Sequence, residues 1–353
     1  MAKPFETPFD CLIVGGGPAG LSAAVNLARM RRRVLVVDDR DGRSLWGQTN
    51  RNYLGFPDGL PASEIRRQGR RQAAKYGAQF MRGRVVKAEK LECVLFHFTL
   101  EACVGEGAGT RANVSADDEL GAELGELDCA ELAGEGPVEL EARAVVLATG
   151  VRDFFPDFPG WYECVGRSLY WCIQCDGFEA VDRAVAVVGY DEDSAETTLD
   201  LLDFTDRVTL VAGRAEGFEV PASRLRDLET NGVAAYPCAV ARYVHSDGQI
   251  QSLVLDDPGR TLLAVDAVFA YRRPAARNEL ALSLGVALNP IGQIVVDTSS
   301  RTNVPGVYAA GDATDLHNHQ ISAAVHEGNE AAASANYHLY RAVQKAPADQ
   351  GRT

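Results

Sequence analysis

The sequence predicts an α/β protein with two parallel-sheet domains. At 353 residues the chain is longer than one hydrophobic core usually supports, so two domains are expected. Two stretches each indicate a strand, a glycine turn, a helix and a second strand: "DCLIVGGGPAGLSAAVNLARMRRRVLVVDD" from residue 10 and "RAVAVVGYDEDSAETTLDLLDFTDRVTLVAGR" from residue 183. Because a βαβ unit places its strands parallel, each stretch predicts one doubly wound fold.

The first unit carries three glycines, Gly15, Gly17 and Gly20, in the Gly-x-Gly-x-x-Gly spacing. The first makes a tight turn, the second lets the backbone approach a pyrophosphate, and the third lets the helix pack on the strand. Asp38 ends the next strand, where a carboxylate binds a ribose hydroxyl. This combination predicts a dinucleotide site with phosphates at the helix N-terminus, and the alternative is a purely structural glycine turn.

In the second unit we predict the turn at Gly189, the helix from about Ser194 and the next strand from Val208. Elsewhere "RAVVLATG" predicts a buried strand that runs into a glycine turn, and "RTNVPGVYAAGDATD" predicts a strand that ends in an aspartate. Both resemble strand ends that meet a ligand at the carboxyl edge of a parallel sheet.

Between the two units lies the segment "GEGAGTRANVSADDELGAELGELDCAELAGEGP". It is rich in glycine, alanine and acidic residues and poor in aromatic residues, a composition that disfavours a packed core. We interpret it as a solvated insertion in a β-meander, without a catalytic role.

The charge balance limits the function classes. The chain has 35 basic and 49 acidic residues, a net charge of −14, which argues against nucleic acid or an anionic membrane as a partner. No apolar run reaches the roughly 20 residues of a membrane helix. The start "MAKPFETPFD" lacks the basic-then-apolar order of a signal peptide, so we expect a cytoplasmic protein.

The stretch "LYWCIQCDGFE" holds the only close cysteine pair among eight cysteines, Cys172 and Cys175. Three interpretations are open. A zinc site would need two further ligands, and Cys164 in "ECVG" offers one at an unusual spacing, so we predict no metal. Two inert buried thiols would leave the adjoining Asp-Gly unexplained. A redox dithiol is the third interpretation, since a reducing compartment keeps cysteines free unless a pair is catalytic.

These segments, in this order, resemble the flavoprotein disulfide reductases with two dinucleotide-binding folds, and "CIQCDG" is similar to the low-molecular-weight thioredoxin reductases. The similarity covers nearly the whole chain except the acidic insertion and the last dozen residues. It implies that a second Rossmann-like domain is inserted in the first, with limits near Phe155 and Tyr271. The implied domains are FAD-binding at 1–155 with the insertion at about 103–138, central at 156–271, and FAD-binding again at 272–353.

The resemblance implies a set of FAD contacts. The three glycines would bind the pyrophosphate, Asp38 the adenosine ribose, and Asp312 the ribityl chain. The "ATG" segment would complete the flavin site, and "GQTNRNYLGFPDGL" is similar to the family's flavin-facing loop. "HQISAA" stands where the family has an Arg-Gln pair, so the glutamine matches and the histidine does not. The further implied contacts are Gln48, Asn52, Thr149, Gly150, His319 and Gln320.

The resemblance also assigns roles to the cysteine pair and favours the redox dithiol over the other interpretations. Cys175 would be the thiolate that lies against the flavin, and Cys172 the thiol that attacks the partner's disulfide. A cysteine pair at the start of a helix has its pKa lowered toward neutrality, which exchange requires. Asp176 would carry the proton to and from the departing thiolate, and the alternative is a plain helix N-cap.

The second unit departs from family members that use NADPH. Its turn reads "VVGYDEDSAE", so Asp191 stands at the second glycine position and residues 191–193 are all acidic. At an effective dielectric near 20, each close like-charge contact with a phosphate costs on the order of a few kcal/mol. The family's basic cluster for the 2′-phosphate is reduced to Arg214 among Glu216 and Glu219. We therefore doubt NADPH, while a loop with one extra residue that binds NAD(H) in a shifted pose stays open.

The function that we favour is an FAD-dependent disulfide oxidoreductase that moves electrons between the flavin, the Cys172/Cys175 pair and a thioredoxin-like protein or small thiol. Its donor would differ from NADPH, with ferredoxin or a second flavin in the central domain as candidates. The alternatives are an ordinary NADPH-dependent thioredoxin reductase, a dithiol oxidase that runs in the opposite direction, and a non-enzymatic redox sensor. From the resemblance we expect a homodimer.

Overall fold

The computed structural model describes most of the chain, and at 111–117 and 341–345 it describes the backbone alone. The described residues are 5, 7–46, 49–91, 95–103, 111–133, 136–154, 156–213, 219–270 and 274–345. The chain divides into two compact units. Unit 1 comprises Met1–Trp46, Ala62–Arg152 and Ala275–Thr353, and unit 2 comprises Gly47–Pro61 and Asp153–Pro274.

Both predicted strand-helix-strand units are present in the structure. The strands are β1 (Phe9–Val14), β2 (Val34–Asp38), β3 (Thr49–Asn50), β4 (Leu60–Pro61), β5 (Gln79–Arg82), β6 (Arg84–Lys90), β7 (Phe96–Glu101), β8 (Leu127–Asp128), β9 (Val138–Leu147), β10 (Val151–Arg152), β11 (Leu169–Tyr170), β12 (Val185–Gly189), β13 (Val208–Ala212), β14 (Ala234–Tyr236), β15 (Val240–Ser246), β16 (Gln249–Leu255), β17 (Leu262–Ala264), β18 (Ala267–Ala270), β19 (Ala275–Ala276) and β20 (Val307–Ala309). The helices are α1 (Pro18–Arg29), α2 (Ala62–Lys75), α3 (Arg111–Leu124), α4 (Cys129–Leu132), α5 (Trp161–Cys164), α6 (Ile173–Asp176), α7 (Glu192–Asp200), α8 (Ala222–Thr230), α9 (Glu279–Ser283) and α10 (Ile321–Lys345). The two predicted units are β1-α1-β2 and β12-α7-β13.

Unit 1 is built on a sheet in the order β6-β7-β9-β1-β2-β5-β8, with β20 paired to β9. The pairs β9-β1, β1-β2, β2-β5, β5-β8 and β20-β9 are parallel, whereas β6 and β7 run antiparallel. The carboxyl ends of β1, β2, β9 and β20 therefore meet at one edge. This parallel Rossmann-like core confirms the predicted α/β fold.

Both faces of the unit 1 sheet are covered. Along β1, Leu12 packs into the core on one face and Ile13 into the core on the other, as the two-residue period of a strand requires. Helices α1 and α10 pack closely on the second face. Gly328 of α10 permits this approach, because a Cβ there would overlap the carbonyl oxygen of Ala19. The N-terminus of α1 is thereby fixed at the carboxyl edge of the sheet.

Unit 2 contains a five-stranded parallel sheet in the order β11-β18-β12-β13-β14 and a three-stranded antiparallel sheet, β15-β16-β17. The helix predicted from about Ser194 begins at Glu192 instead. Asp191 is its N-cap, and its Oδ1 accepts a hydrogen bond from the Ser194 amide at 3.0 Å. The prediction of that boundary was wrong because this cap adds two acidic residues to the first turn.

The expectation that the acidic insertion lacks a packed core is also wrong, whereas its position between the antiparallel neighbours β7 and β9 agrees with an insertion in a β-meander. Its described part folds into α3, β8 and α4, and β8 extends the main sheet beside β5. Leu120 and Cys129 are buried there. The acidic composition suggested a solvated segment, but arginines from the rest of unit 1 pair with carboxylates of the insertion. One of these ion pairs joins Arg71 of α2 to Glu123 at 2.9 Å.

The proposed domain limits near Phe155 and Tyr271 lie outside the described residues, and the domain assignment stays a prediction. The segment Gly47–Pro61, which the sequence placed in the first domain, groups with unit 2. Among the residues that the structure describes, no helix combines the length and apolar character needed to cross a membrane.

Candidate active site

The glycine loop of unit 1 has the geometry of a phosphate-binding turn. Gly15 has φ +107°, which side chains rarely adopt, and a Cβ there would overlap the carbonyl oxygen of Ala148. A Cβ at Gly20 would overlap the carbonyl oxygen of Gly15, so α1 packs directly on the turn. Gly17 is the N-cap of α1, and the atom nearest to a Cβ there is Oγ of Ser44 at 4.0 Å. This cradle leaves room for a phosphate at the Gly17 amide.

Asp38 is held as a carboxylate at the end of β2. Burial by itself would raise the pKa of Asp38, but the charge and hydrogen bond of Arg66 hold it below its usual value. Arg66 pairs with Oδ2 of Asp38 and also donates to the carbonyl oxygen of Gly16 at 2.9 Å. Sequence analysis missed Arg66, although its spacing from Arg70 on α2 is a visible sign of one charged helix face.

Asp312 follows β20 in a turn that begins with Gly311 at φ +79°. Its Oδ2 pairs with Nη1 of Arg43 at 2.8 Å, and both side chains are partly exposed. Arg43 lies in the short turn Arg43–Leu45 after β2, so the ion pair joins the loops of two strand ends of the same sheet. The sequence had not singled out Arg43.

The "ATG" turn after β9 is fixed by Arg277. Oγ1 of Thr149 donates to the carbonyl oxygen of Arg277 at 2.6 Å, and the Arg277 amide donates to that of Gly150 at 3.0 Å. Gly150 has φ +65°, which explains a glycine at this position. The guanidinium of Arg277 pairs with Asp41 at 3.0 Å and so ties the turn to the loop after β2.

A buried glutamate, Glu327, fixes the turn that carries Asp312. Its carboxylate accepts hydrogen bonds from the Gly311 amide at 2.7 Å and from Oγ1 of Thr314 at 2.9 Å. Its other oxygen lies 3.0 Å from Nδ1 of His317. Glu327 was not predicted, because its role depends on α10 reaching this strand end.

The remaining predicted flavin contacts are divided between the units. His319 is partly exposed just before α10, and the carbonyl oxygen of Gln320 accepts from the Ala324 amide at 2.9 Å, so Gln320 begins the helix. Asn52 belongs to unit 2, where its amide donates to the carbonyl oxygen of Gln174 at 3.3 Å. Gln48 lies outside the described residues. These contacts stay predictions.

In unit 2, Cys172 and Cys175 form a disulfide with their Cα atoms 5.3 Å apart. Cys172 is the N-cap of α6, and its sulfur accepts from the Cys175 amide at 3.1 Å. The two sulfurs are thus joined to each other, as a redox pair in its oxidised form requires. Within the described ranges, no group of three or more His, Cys, Asp or Glu side chains is arranged to hold a metal ion.

Asp176, next to the disulfide, is only 8% exposed. Burial raises its pKa to about 7, which Arg51 counteracts and Glu179 reinforces. Arg51 and Glu179 pair with each other at 3.4 Å. Asp176 stands at the N-cap position of the turn Gly177–Ala180, but its side chain makes no capping hydrogen bond. The capping alternative is therefore not supported, and a carboxyl that titrates near neutral pH suits proton transfer.

In the second nucleotide fold, the N-terminus of α7 is capped by side chains of its own first turn. Asp191 and Ser194 form a reciprocal capping box, in which the Asp191 carboxylate accepts from the Ser194 amide and the Ser194 hydroxyl oxygen accepts from the Asp191 amide. Two amides at this helix start are thus already bonded, and a negative charge stands where the fold would present amides to a pyrophosphate. Arg224 of α8 pairs with Glu192 at 3.0 Å and with Glu196, which removes part of the repulsion expected from the acidic run. Glu219 is exposed, and the predicted remnants Arg214 and Glu216 lie outside the described residues.

Two parallel-sheet nucleotide folds and a redox disulfide in one chain define an enzyme class, the disulfide oxidoreductases. Comparison with known proteins agrees. Residues 9–328 match the family described as pyridine nucleotide-disulphide oxidoreductase, and the chain belongs to this family. Within it, the chain is a flavoprotein disulfide oxidoreductase of the thioredoxin reductase type.

Individual relatives cover the chain almost completely. The thioredoxin reductase of Treponema pallidum is 30% identical over 338 residues, which are 94% of this chain and 98% of that protein. An alkyl hydroperoxide reductase component of Staphylococcus aureus is 29% identical over 347 residues, which are 96% of this chain but only 61% of that protein. The crystal structure of HlmI is 30% identical, with a TM-score of 0.77 and 97% of both chains covered.

Proposed function

We propose that this chain is an FAD-dependent disulfide oxidoreductase that exchanges electrons between the flavin, the Cys172/Cys175 pair and a thioredoxin-like protein, and that it does not use NADPH. The observation that carries the proposal is the Cys172–Cys175 disulfide next to Asp176, a carboxyl with a pKa of about 7. An exchanging pair needs such a proton carrier beside it.

The residues of unit 1 fit FAD. The space beside Gly17 is open, with Oγ of Ser44 4.0 Å from the position of a Cβ, Asp38 is ionised, and Asp312 follows a strand end at the same sheet edge. Gly17 would hold the pyrophosphate, Asp38 the adenosine ribose and Asp312 the ribityl chain, with Arg43 as a cation beside the phosphates. When bound, FAD supplies the capacity to take up and release two electrons.

The chemistry of the chain itself is thiol-disulfide exchange. In the reduced pair, the Cys172 thiolate attacks the partner's disulfide, which gives a mixed disulfide and releases one partner thiolate. Cys175 then attacks the Cys172 sulfur, so the pair is reoxidised and the second partner thiolate departs. Asp176 donates one proton to the first departing thiolate and regains a proton from solvent when the pair is next reduced, and the second departing thiolate takes the proton that Cys175 releases as it attacks. Two electrons and two protons thus reach the partner.

Exposed apolar side chains on unit 2 support a protein partner. Phe178, three residues after Cys175, is 80% exposed, and Leu54 is 96% exposed. The segment that carries Leu54 is joined to the redox segment by the Asn52–Gln174 hydrogen bond. Apolar surface of this kind next to a reactive disulfide suits the contact face of a thioredoxin-like protein.

The electron donor and the assembly are further parts of the proposal. The capped N-terminus at Asp191 supports a donor other than NADPH, such as ferredoxin, or a second flavin bound in the central domain. Homodimerisation and a cytoplasmic location rest on the family resemblance, and sedimentation at micromolar concentration tests the dimer. A monomer mass at that concentration would contradict the homodimer and leave the rest of the proposal unchanged.

The purified protein should be yellow, with at least one FAD per chain, because Gly17, Asp38 and Asp312 supply contacts along the whole cofactor. The measurement is the ratio of flavin absorbance to protein after gel filtration, followed by chromatography of the released cofactor. Colourless protein that does not bind added FAD would contradict the proposed function.

Asp176→Asn should slow reduction of a protein disulfide by on the order of 10²-fold, because the departing thiolate loses its proton donor. In the wild type the rate should fall as pH rises through about 7, where Asp176 ionises, and the variant should lack this ionisation. Steady-state rates across neutral pH measure both effects.

Glu179→Gln is the matched control for Asp176. Glu179 raises the pKa of Asp176, so its neutral variant should move the ionisation of Asp176 to lower pH and leave the rate on the acidic plateau unchanged. An Asp176→Asn profile identical to that of the wild type would exclude the proton-transfer role.

The raised pKa of Asp176 also predicts an effect on stability. Since a raised carboxyl pKa lowers the free energy of unfolding as pH rises from about 4 to about 7, Asp176→Asn should melt at a higher temperature than the wild type above neutral pH.

A further inference from the structure

Three buried arginines surround Asp38 on unit 1: Arg40, Arg66 and Arg70, here called the arginine cluster. Arg66 pairs with Oδ2 of Asp38, and the Arg40 amide donates to Oδ1 at 3.4 Å. Arg70 lies one helical turn after Arg66 on α2, and its charge acts on the same carboxylate. The charges of Arg66 and Arg70 therefore both act on the buried Asp38 carboxylate.

The acidic insertion supplies the balancing charge. Glu126, whose side chain is only 7% exposed, pairs with Arg40 and with Nη2 of Arg70, the latter at 2.8 Å. Asp118 of α3 adds a second carboxylate to Arg40. Gly121 makes this possible, because a Cβ there would overlap the Glu126 carboxylate. Among the side chains that the structure describes, Asp38, Glu126 and Asp118 each contribute a negative charge to the arginine cluster.

Charge balance inside this cluster controls what Asp38 is able to bind. A buried guanidinium keeps a carboxylate partner because an unpaired buried charge is very unfavourable. If Glu126 lost its charge, Arg40 would keep its pairing with Asp118, whereas the charge of Arg70 would act more strongly on Asp38, the carboxylate that it already influences. A carboxylate fully engaged by arginines no longer accepts a hydrogen bond from a ribose hydroxyl.

We propose that Glu126 of the acidic insertion is a positioning residue for the adenosine half of FAD, which acts by neutralising Arg40 and Arg70 and so leaves Asp38 available to the ribose. This inference rests on the proposed function, since it needs FAD to bind at Asp38. The insertion is then an element of cofactor retention. Riboflavin, which has no adenosine, does not depend on it.

The test compares the binding of FAD, ADP and riboflavin to the apoprotein by calorimetry or flavin fluorescence. Glu126→Gln should lower the affinity for FAD and for ADP by a similar factor, about tenfold or more, because the ribose hydroxyl loses its hydrogen bond to the charged Asp38. Its affinity for riboflavin should stay unchanged. Glu123→Gln is the matched control, since Glu123 lies in the same insertion, is 55% exposed and pairs with Arg71, and it should behave as the wild type.

Equal losses for FAD, ADP and riboflavin in Glu126→Gln would overturn the inference, because they indicate general loss of the fold, and so would unchanged affinity for all three. Asp118→Asn, a half-exposed partner of Arg40, covers the case in which Glu126→Gln does not fold. Asp118→Asn should also lower the affinity for FAD and ADP but not for riboflavin, by a smaller factor. Equal losses for all three ligands, or no loss, would again count against the positioning role. Failure of the wild type to bind FAD would instead remove the proposed function.

Discussion

Replacing either redox cysteine by serine should lower disulfide transfer to a thioredoxin-like protein by on the order of 10⁴-fold or more, because each sulfur takes part in a bond that must form and break in every cycle. The two variants should differ in their spectra. If Cys175 is the flavin-facing sulfur, as the family resemblance implies, Cys172→Ser should leave it as a thiolate and give a long-wavelength charge-transfer absorption. Cys175→Ser should not.

The spectral difference is what assigns the roles, since activity is lost in both variants. Absorbance of the oxidised variants across neutral pH measures it, with the wild type as reference. Cys164→Ser serves as control, because Cys164 is a buried free thiol in the same unit and should leave both activity and spectrum unchanged. Full activity in either redox variant would show that the Cys172–Cys175 disulfide is structural.

The second large effect concerns nicotinamide nucleotides. Wild-type protein should bind NADPH very weakly, because the Asp191 carboxylate caps the helix whose free amides would face the pyrophosphate. Asp191→Gly should strengthen NADPH binding about tenfold or more, since it removes one close like charge and frees the amides. Loss of the Asp191 side chain should cost only about a few tenths of a kcal/mol of stability, because glycine is itself tolerated at an N-cap, and a thermal melt of the variant will show it.

Glu192→Gln is the matched control for Asp191→Gly, because it removes the same charge one residue further along. Glu192 already pairs with Arg224 at 3.0 Å, so its loss should change nucleotide affinity little. Titration of NADPH against each variant by fluorescence compares the two sites. Equal gains from both variants would mean that general charge repulsion, and not the cap, closes the site.

The parts of the fold that were predictable are those with local signals. Gly15 and Gly20 stand where any side chain would overlap the backbone, and the β1-α1-β2 unit follows from them. Asp38 ends β2 and Asp312 follows β20 by three residues, so both lie after strands of apolar residues as predicted, and their roles toward FAD stay predictions. The Cys172/Cys175 pair was visible from its spacing, the family resemblance favoured the redox interpretation, and the structure joins the two sulfurs in a disulfide.

The parts that were missed depend on contacts between distant segments. Arg66, Arg43 and Glu327 meet their partners across 28, 269 and 16 residues of chain, so no local pattern pairs them with those partners. The insertion was misjudged for the same reason: its acidic residues suggested solvation, but Glu126 is buried against arginines from elsewhere in unit 1. Composition reports the charge of a segment and not the charge of its neighbours.

The most direct measurement of how the flavin is reduced is anaerobic stopped-flow mixing of the oxidised protein with excess NADPH and, separately, with a small dithiol such as dithiothreitol. We predict that the dithiol reduces the flavin through the Cys172/Cys175 pair, and that NADPH reduces it slowly or not at all. Rapid bleaching of the flavin by sub-millimolar NADPH would contradict this prediction and make the protein an ordinary NADPH-dependent thioredoxin reductase.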